Sequence, residues 1–371
     1  MNEHGGESRP IAALDRVLAC LWASRQKLSN ISQLRNWLGA PGNPEAAAPP
    51  EIKALFGSRT RLSELKAELE GWHDVTLIPF GSAFYPRLLE EIYDPPILLF
   101  AMGAERALQA LRECTSLSIV GSRAASAEGI AIASEFAREA LCRGISVVSG
   151  LALGIDGAAH SGALEGAAQR VLPTVAVLGN GLPAIYPRRH ERLARSILEN
   201  GGILLSQFEP GTPAFPVNFL NRNRVIAGIS PATLIIQAGL RSGSLVTARY
   251  ALEEGREVLV VPGDIRDPRY AGGNEILKQG ATLVTKIEDI FEACVPYKTF
   301  KNIQTASTET EALTPRAARI VAAIKKVGTI DQAILKAQFS DPTEFEETLL
   351  ELELASKISR LPGARIQLRG P

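Results

Sequence analysis

Apolar positions along the chain follow two periods, and the switch between them marks its organisation. From about Ile11 to Trp72 they recur at helical spacing (Leu14, Val17, Leu18 and Leu21, then Leu55, Leu62, Leu65 and Leu69), interrupted by the Pro/Gly/Ala stretch Ala40 to Pro50. This predicts a small helical domain over residues 1–75. A proline-rich passage follows, Phe84-Tyr85-Pro86-Arg87-Leu88 and then Asp94-Pro95-Pro96, running into apolar Ile97 to Phe100. Prolines favour extended chain, so a strand is expected there.

From Leu117 onward, short apolar runs alternate with helix-period segments: Leu117 to Val120, Ile145 to Val148, Thr174 to Leu178, Ile203 to Leu205, Thr233 to Ile236, Glu257 to Val261 and Thr282 to Val284. Runs without polar alternation are buried on both faces, as in a parallel sheet covered by helices. Residues 76–296 are therefore expected to form an α/β, Rossmann-like, doubly wound and mainly parallel sheet. The polar stretch 297–312 reads as a linker. Residues 313–371 give three helix-like segments (Pro315 to Val327, Asp331 to Gln338, Pro342 to Leu354) and an extended pair around Leu361 to Ile366, the pattern of a winged-helix module.

A length of 371 residues exceeds the usual size of one hydrophobic core, in line with several domains. No apolar run approaches the ~20 residues of a membrane span. The start, MNEHGGESRP, is acidic and polar where a signal peptide would be basic and then apolar. A cytoplasmic protein without membrane contact is expected. Cys20, Cys114, Cys142 and Cys294 are scattered without C-x-x-C spacing, so neither a metal site nor a disulfide framework is indicated, and buried free thiols are expected. Formal net charge is zero, which argues against a globally basic duplex-coating surface. Any nucleic-acid site must be local.

In doubly wound sheets ligands sit beyond the carboxyl ends of the strands. The first core strand ends in Gly121-Ser122-Arg123, with a helix from about Ser126. Bare glycine backbone, a helix amino terminus and an arginine fork suit a phosphate. The same turn also fits a plain strand-to-helix connection with an exposed arginine. The dinucleotide pattern G-x-G-x-x-G is absent, and no acidic residue follows Val148-Ser149-Gly150 to hold a ribose, so a nicotinamide cofactor is not expected. Gly150, Gly154, Gly179 and Gly181 keep the backbone bare at the next strand ends, shaping a floor. Asp156 and His160, four apart, read as a structural hydrogen-bonded pair rather than an acid/base or metal pair, since no third ligand or nucleophile has matching spacing.

Phe215-Pro216-Val217-Asn218-Phe219-Leu220-Asn221-Arg222-Asn223-Arg224 places aromatics beside guanidinium and amide groups. Arginines clamp phosphates and aromatics stack on bases, the combination a single-strand binder uses. The alternative has Phe219 in the core and the arginines in structural ion pairs. Ser242-Gly243-Ser244 opens another helix with an N-cap and bare amides, a second anion-ready end. Arg188 and Arg189 extend the track or simply solvate a helix start.

Taken in order, Ile119-Val120-Gly121-Ser122-Arg123, Ser149-Gly150-Leu151-Ala152 with Gly154-Ile155-Asp156 and His160, Tyr186-Pro187, Arg222-Asn223-Arg224, and Ser242-Gly243-Ser244-Leu245-Val246-Thr247-Ala248 through Val261-Pro262-Gly263 resemble the DprA/Smf family. The helical start resembles that family's sterile-alpha-motif-like domain and the tail its winged-helix domain. The resemblance implies a homodimer that binds and protects single-stranded DNA and loads the recombinase RecA in natural transformation, without catalytic residues or cofactor. It implies that Arg123 contacts phosphate and that Arg222 and Arg224 line the same pocket. Departures from the family pattern are Gln207 and Gln237 in place of Glu, Leu220 in place of Pro and Gly273 in place of Cys or Ser. Arg170 is the nearest basic residue to a position before the Thr174 strand where the family often has Lys.

Two other readings compete. Lysine-decarboxylase-like Rossmann enzymes cleave nucleoside monophosphates with a PGGxGTxxE loop, but Gly239 to Thr247 has no carboxylate in that catalytic place. A duplex-binding winged helix would read DNA with Pro342 to Leu354, whose Glu344, Glu346, Glu347, Glu351 and Glu353 repel phosphate.

Overall fold

At the centre of the fold are strands in which every side chain is buried, the state that continuous apolar runs predict. The structure is a computed structural model and describes residues 13–26, 31–39, 48–166, 172–294, 317, 320–321, 323–324, 329–336, 345, 348–349, 352, 358–361 and 365–368. The chain divides into two compact units, residues 1–299 and 300–371.

In the first unit, helices α1 (Ala13–Arg25), α2 (Ile31–Gly39), α3 (Pro50–Phe56) and α4 (Arg59–Glu70) precede β1 (Thr76–Pro79), α5 (Arg87–Glu90), β2 (Leu98–Met102) and α6 (Glu105–Leu111). Strict alternation follows: β3 (Ser116–Val120), α7 (Ala127–Cys142), β4 (Ser146–Ser149), α8 (Ile155–Glu165), β5 (Thr174–Leu178), α9 (Glu191–Glu199), β6 (Ile203–Ser206), α10 (Pro216–Ile229), β7 (Ala232–Ile235), α11 (Gly243–Glu253), β8 (Glu257–Val260), α12 (Ala271–Lys278) and β9 (Thr282–Leu283). The described strands of this unit form one sheet in the order β1-β2-β6-β5-β4-β3-β7-β8-β9. Pairing from β6 through β9 is parallel, and β2 runs antiparallel to both β1 and β6. This is the expected α/β class with an antiparallel edge.

Alternate strand residues serve opposite faces. Val120, Val175, Val177 and Ile235 pack with Val225 and Ile226 of α10 and Ala248 and Ala251 of α11. On the other face, Leu117, Ile119, Val147 and Leu234 meet Ala133 and Ala137 of α7 and Ala159 and Ala163 of α8. Leu98, Phe100, Ala176 and Leu178 share a cluster with Leu18, Leu21, Leu34, Leu38 and Leu55 of the amino-terminal helices. Those helices thus bury their apolar stripe on the sheet itself, and Trp72 meets Phe100 edge-on with ring centroids 5.9 Å apart. Cys20 and Cys294 are buried, but Cys114 is half-buried and Cys142 exposed, which corrects the expectation of buried thiols. Cys142 ends α7 one residue past the buried Leu141, where the helix has turned away from the sheet. No described helix is long and apolar enough to cross a membrane.

In the second unit β10 (Thr329–Asp331), β11 (Ile358–Leu361) and β12 (Arg365–Leu368) form an antiparallel sheet in the order β10-β12-β11. Ala317, Ile320, Ile324, Leu335, Phe345, Leu349, Leu352, Ile358 and Ile366 make its core. The expected linker at 297–312 and the acidic residues of the Pro342 to Leu354 segment lie outside the described residues.

Candidate functional site

From β3 the chain builds the sheet outward through β4 to β6, then returns to the other side of β3 for β7 to β9, so the strand order reverses between β3 and β7. Connections leaving two such neighbours toward opposite faces leave a crevice at their carboxyl ends. There the structure opens a cleft of about 550 Å³. Gly121, Ser122 and Arg123 of the turn after β3, Phe219, Arg222 and Asn223 of α10, and Ser242, Gly243 and Ser244 at the start of α11 all line it.

The turn after β3 is pinned from both sides: Ser122 N donates to Gln237 O at 2.7 Å and Ile155 N donates to Ser122 O at 3.2 Å. Gly154, at φ 78°, permits this approach, since a Cβ there would overlap the Ser122 carbonyl. Arg123 is exposed and has its guanidinium carbon 5.4 Å from the Phe219 ring centroid. Tyr186 lies 5.3 Å from the same ring. A recess of about 60 Å³ adjoins the cleft, lined by Gly150, Tyr186 and Pro187 together with Arg123, Phe219 and Arg222.

Arg222 is 3 % exposed. Its Nη1 donates to Gly150 O at 2.7 Å and to Val177 O, tying α10 to the ends of β4 and β5. A Cβ on Gly150 would overlap that guanidinium, so a larger residue there would push it off its carbonyl partners. Burial pulls the Arg222 pKa down to about 10, with Asp156 opposing, and the group remains a cation at neutral pH. Asp156 is also buried and lines the cleft; its Oδ2 accepts from Gly150 N at 3.2 Å and Ala152 N at 3.4 Å. Burial pushes its carboxyl up, while Arg222 and those two amides favour the charged form. Among the cleft-lining residues Arg123, Arg222 and Arg241 thus face one carboxylate.

Several placements differ from the sequence reading. Arg224 does not open onto this cleft. It lines a second cavity, pairs with Asp94 and donates to Gln207 Oε1 at 2.9 Å, because two positions along a helix turn a side chain about 200° away from its neighbour. Asp156 and His160 do not bond one another: Asp156 takes the loop amides, and His160 Nδ1 meets Thr174 Oγ1 at 2.7 Å. The start of α7 is closed internally. Ser126 Oγ accepts from Gly129 N at 3.0 Å, and Gln237 Oε1 accepts from Ser126 N at 3.0 Å, so the turn 121–124 and not the helix end lines the cleft. Arg170 lies outside the described residues. Sequence reasoning passed over Arg241, exposed on the cleft wall; its position just past β7, at the reversal of strand order, was the available signal.

α11 brings to the cleft what α7 does not. Ser242 caps it, accepting from Ser244 N at 3.3 Å, and its first turn carries no acidic residue. Its amides and positive dipole end therefore meet an anion without local opposition. The cleft combines that helix end, a cation on an aromatic ring and a buried guanidinium.

The profile of a family described as DNA recombination-mediator protein A matches residues 76–295. The chain is 42 % identical to Protein Smf of Escherichia coli K12 over 299 residues, 79 % of this chain and 77 % of that protein. It is 35 % identical to DNA processing protein DprA of Bacillus subtilis, over 75 % of this chain and 96 % of that one. Among solved structures, DNA processing protein A of Streptococcus pneumoniae superposes with a TM-score of 0.61 at 30 % identity, covering 76 % of this chain and 98 % of its own. DNA processing protein A of Helicobacter pylori, described for its single-stranded DNA binding mode, superposes with a TM-score of 0.51 at 27 % identity, covering 62 % of this chain and 96 % of its own.

Proposed function

The chain belongs to the DNA recombination-mediator protein A family, and from that premise we propose that its cleft grips the sugar-phosphate chain of single-stranded DNA. The observation that carries the reading is the convergence of Arg123, stacked on Phe219, with the uncapped-by-acid start of α11 in one cleft of about 550 Å³. Phosphates sit against the Ser242 to Ser244 turn and Arg123, and bases stack on the exposed edges of Phe219 and Tyr186. Arg222, buried, acts from beneath as fixed positive charge and as the tether that shapes the floor.

In this reading the protein works by binding and not by catalysis. The cleft's carboxylate, Asp156, is held by two backbone amides and serves Arg222. The finer assignments are part of the same proposal, with family membership as their support: protection of incoming strands, delivery of them to RecA, a homodimeric assembly, and a winged helix in the second unit. The test is a mobility-shift titration of Arg123→Glu against fluorescent oligothymidylate. Arg123 is exposed, so the fold survives while a phosphate contact becomes a repulsion, and binding is lost. Wild-type affinity in the variant, with unchanged thermal melting, would overturn the reading.

A further inference from the structure

We infer that the bound strand leaves the cleft across Tyr186 and continues along Arg188, Arg189 and Arg192, which form a second phosphate track outside it. The inference rests on the single-strand reading above and gives that site a direction and a longer footprint.

Continuity comes first. Tyr186 and Pro187 line the recess that Arg123, Phe219 and Arg222 share with the cleft. The very next residue, Arg188, opens the short 3-10 turn Arg188–His190 that leads into α9. This turn is fastened to the cleft floor: His190 Nδ1 donates to Leu151 O at 2.8 Å. Leu151, at φ 57°, holds its carbonyl out in a left-handed conformation, and the neighbouring Ala152 lines the cleft. The basic turn is thus part of the same rigid wall, and its first cation lies one residue, about 3.8 Å of backbone, beyond the recess.

Charge comes second. Arg188, Arg189 and Arg192 are exposed, and none forms an ion pair within the described residues, although Glu191 stands between them in sequence. Of the other exposed arginines, Arg143 pairs with Glu139, Arg249 with Glu253, Arg266 with Asp264 and Arg269 with Asp267, while Arg106, Arg138 and Arg195 have no ion pair among the described residues; what sets Arg188, Arg189 and Arg192 apart is that they lie together beside the recess. The whole chain carries no net charge, so these three cations are a local excess. They also gather at the amino-terminal end of α9, which no side chain caps and where the helix dipole disfavours positive charge. The buried face of α9 is Ala194 and Ile197, so the arginines have no packing role to explain them. A polyanion passing over the turn relieves both repulsions. Tyr186, 47 % exposed and beside Phe219, offers the intervening bases a ring to stack on.

The test uses the full-length chain, its triple variant Arg188→Gln/Arg189→Gln/Arg192→Gln, and two labelled oligothymidylates, of about six and about twenty nucleotides, the shorter confined to the cleft. For single strands each phosphate contact contributes about 0.7 to the slope of log affinity against log salt, so loss of three contacts lowers the slope by about 2. For the longer strand, the drop in affinity between about 50 and about 200 mM salt then shrinks by roughly 20-fold relative to wild type. The shorter strand binds both proteins alike, which also shows that the variant is folded. An unchanged slope with the longer strand overturns the track, and so does an equal loss with both lengths. A wild-type protein that binds neither strand overturns the single-strand reading and the track with it.

Discussion

His160 offers a measurement of how tightly the cleft floor is built. It is fully buried on α8, with Nδ1 2.7 Å from Thr174 Oγ1, whose hydroxyl donates to Val147 O at 2.7 Å. With the hydroxyl hydrogen committed to Val147, the histidine is the donor in its own contact and carries its proton on Nδ1. Nε2 is then a buried lone pair with no partner, and a second proton there would be a buried charge without an acceptor. Burial, with His190 and Arg222 nearby, pulls its pKa from 6.5 to about 3. Because the folded value lies below the unfolded one, the unfolded chain takes up the proton first. Stability is complete above about pH 6.5 and is lost as pH falls toward 3. At pH 5 the loss amounts to about 2 kcal/mol. His160→Asn keeps a donor near the Nδ1 position but does not titrate; its smaller side chain costs about 1–2 kcal/mol at every pH. Urea unfolding followed by tryptophan fluorescence reads this directly, since Trp22, Trp37 and Trp72 all lie in the first unit. The wild-type advantage should narrow by about 2 kcal/mol between pH 7 and pH 5. Asp156, pushed in the opposite direction by burial, is common to both proteins and cancels in the difference. Parallel stability curves for the two proteins would refute the buried neutral imidazole.

Two further outcomes follow from the floor. Gly150→Ala should displace the Arg222 guanidinium from Gly150 O and Val177 O, lowering stability by about 1–3 kcal/mol and weakening single-strand binding together; calorimetry and anisotropy on one preparation check both. Asp156→Asn should lower the melting temperature, because buried Arg222 loses its counter-charge, yet leave single-strand affinity intact or raised. Lost binding at an unchanged melting temperature would show that the carboxylate meets the ligand itself.

Much of this architecture was legible because burial on both faces leaves an unmistakable mark: runs such as Thr174 to Leu178 admit no polar alternation, and their ends agree with the strands. The cleft was legible for the same reason, since glycine and serine at strand ends are where a doubly wound sheet exposes backbone. What a single sequence leaves open is which surface an apolar stripe covers. Leu18 and Leu55 stand in a helical pattern that does not name its partner, and the structure places them in one cluster with Phe100 and Leu178 of the sheet. Arg222 and Arg224 read as one cluster, yet helical geometry sends two residues so spaced to different sides, one beneath the cleft and one to Asp94. Asp156 and His160 had the spacing of a pair, but loop amides and Thr174 were nearer partners.

The most direct test of the central claim is a crystal structure of the protein with a short oligothymidylate. The account predicts consecutive backbone phosphates within hydrogen-bonding distance of the Ser242 to Ser244 turn and the Arg123 guanidinium, with a base against Phe219. A strand bound elsewhere, leaving that cleft to solvent or to a single nucleotide, would contradict it.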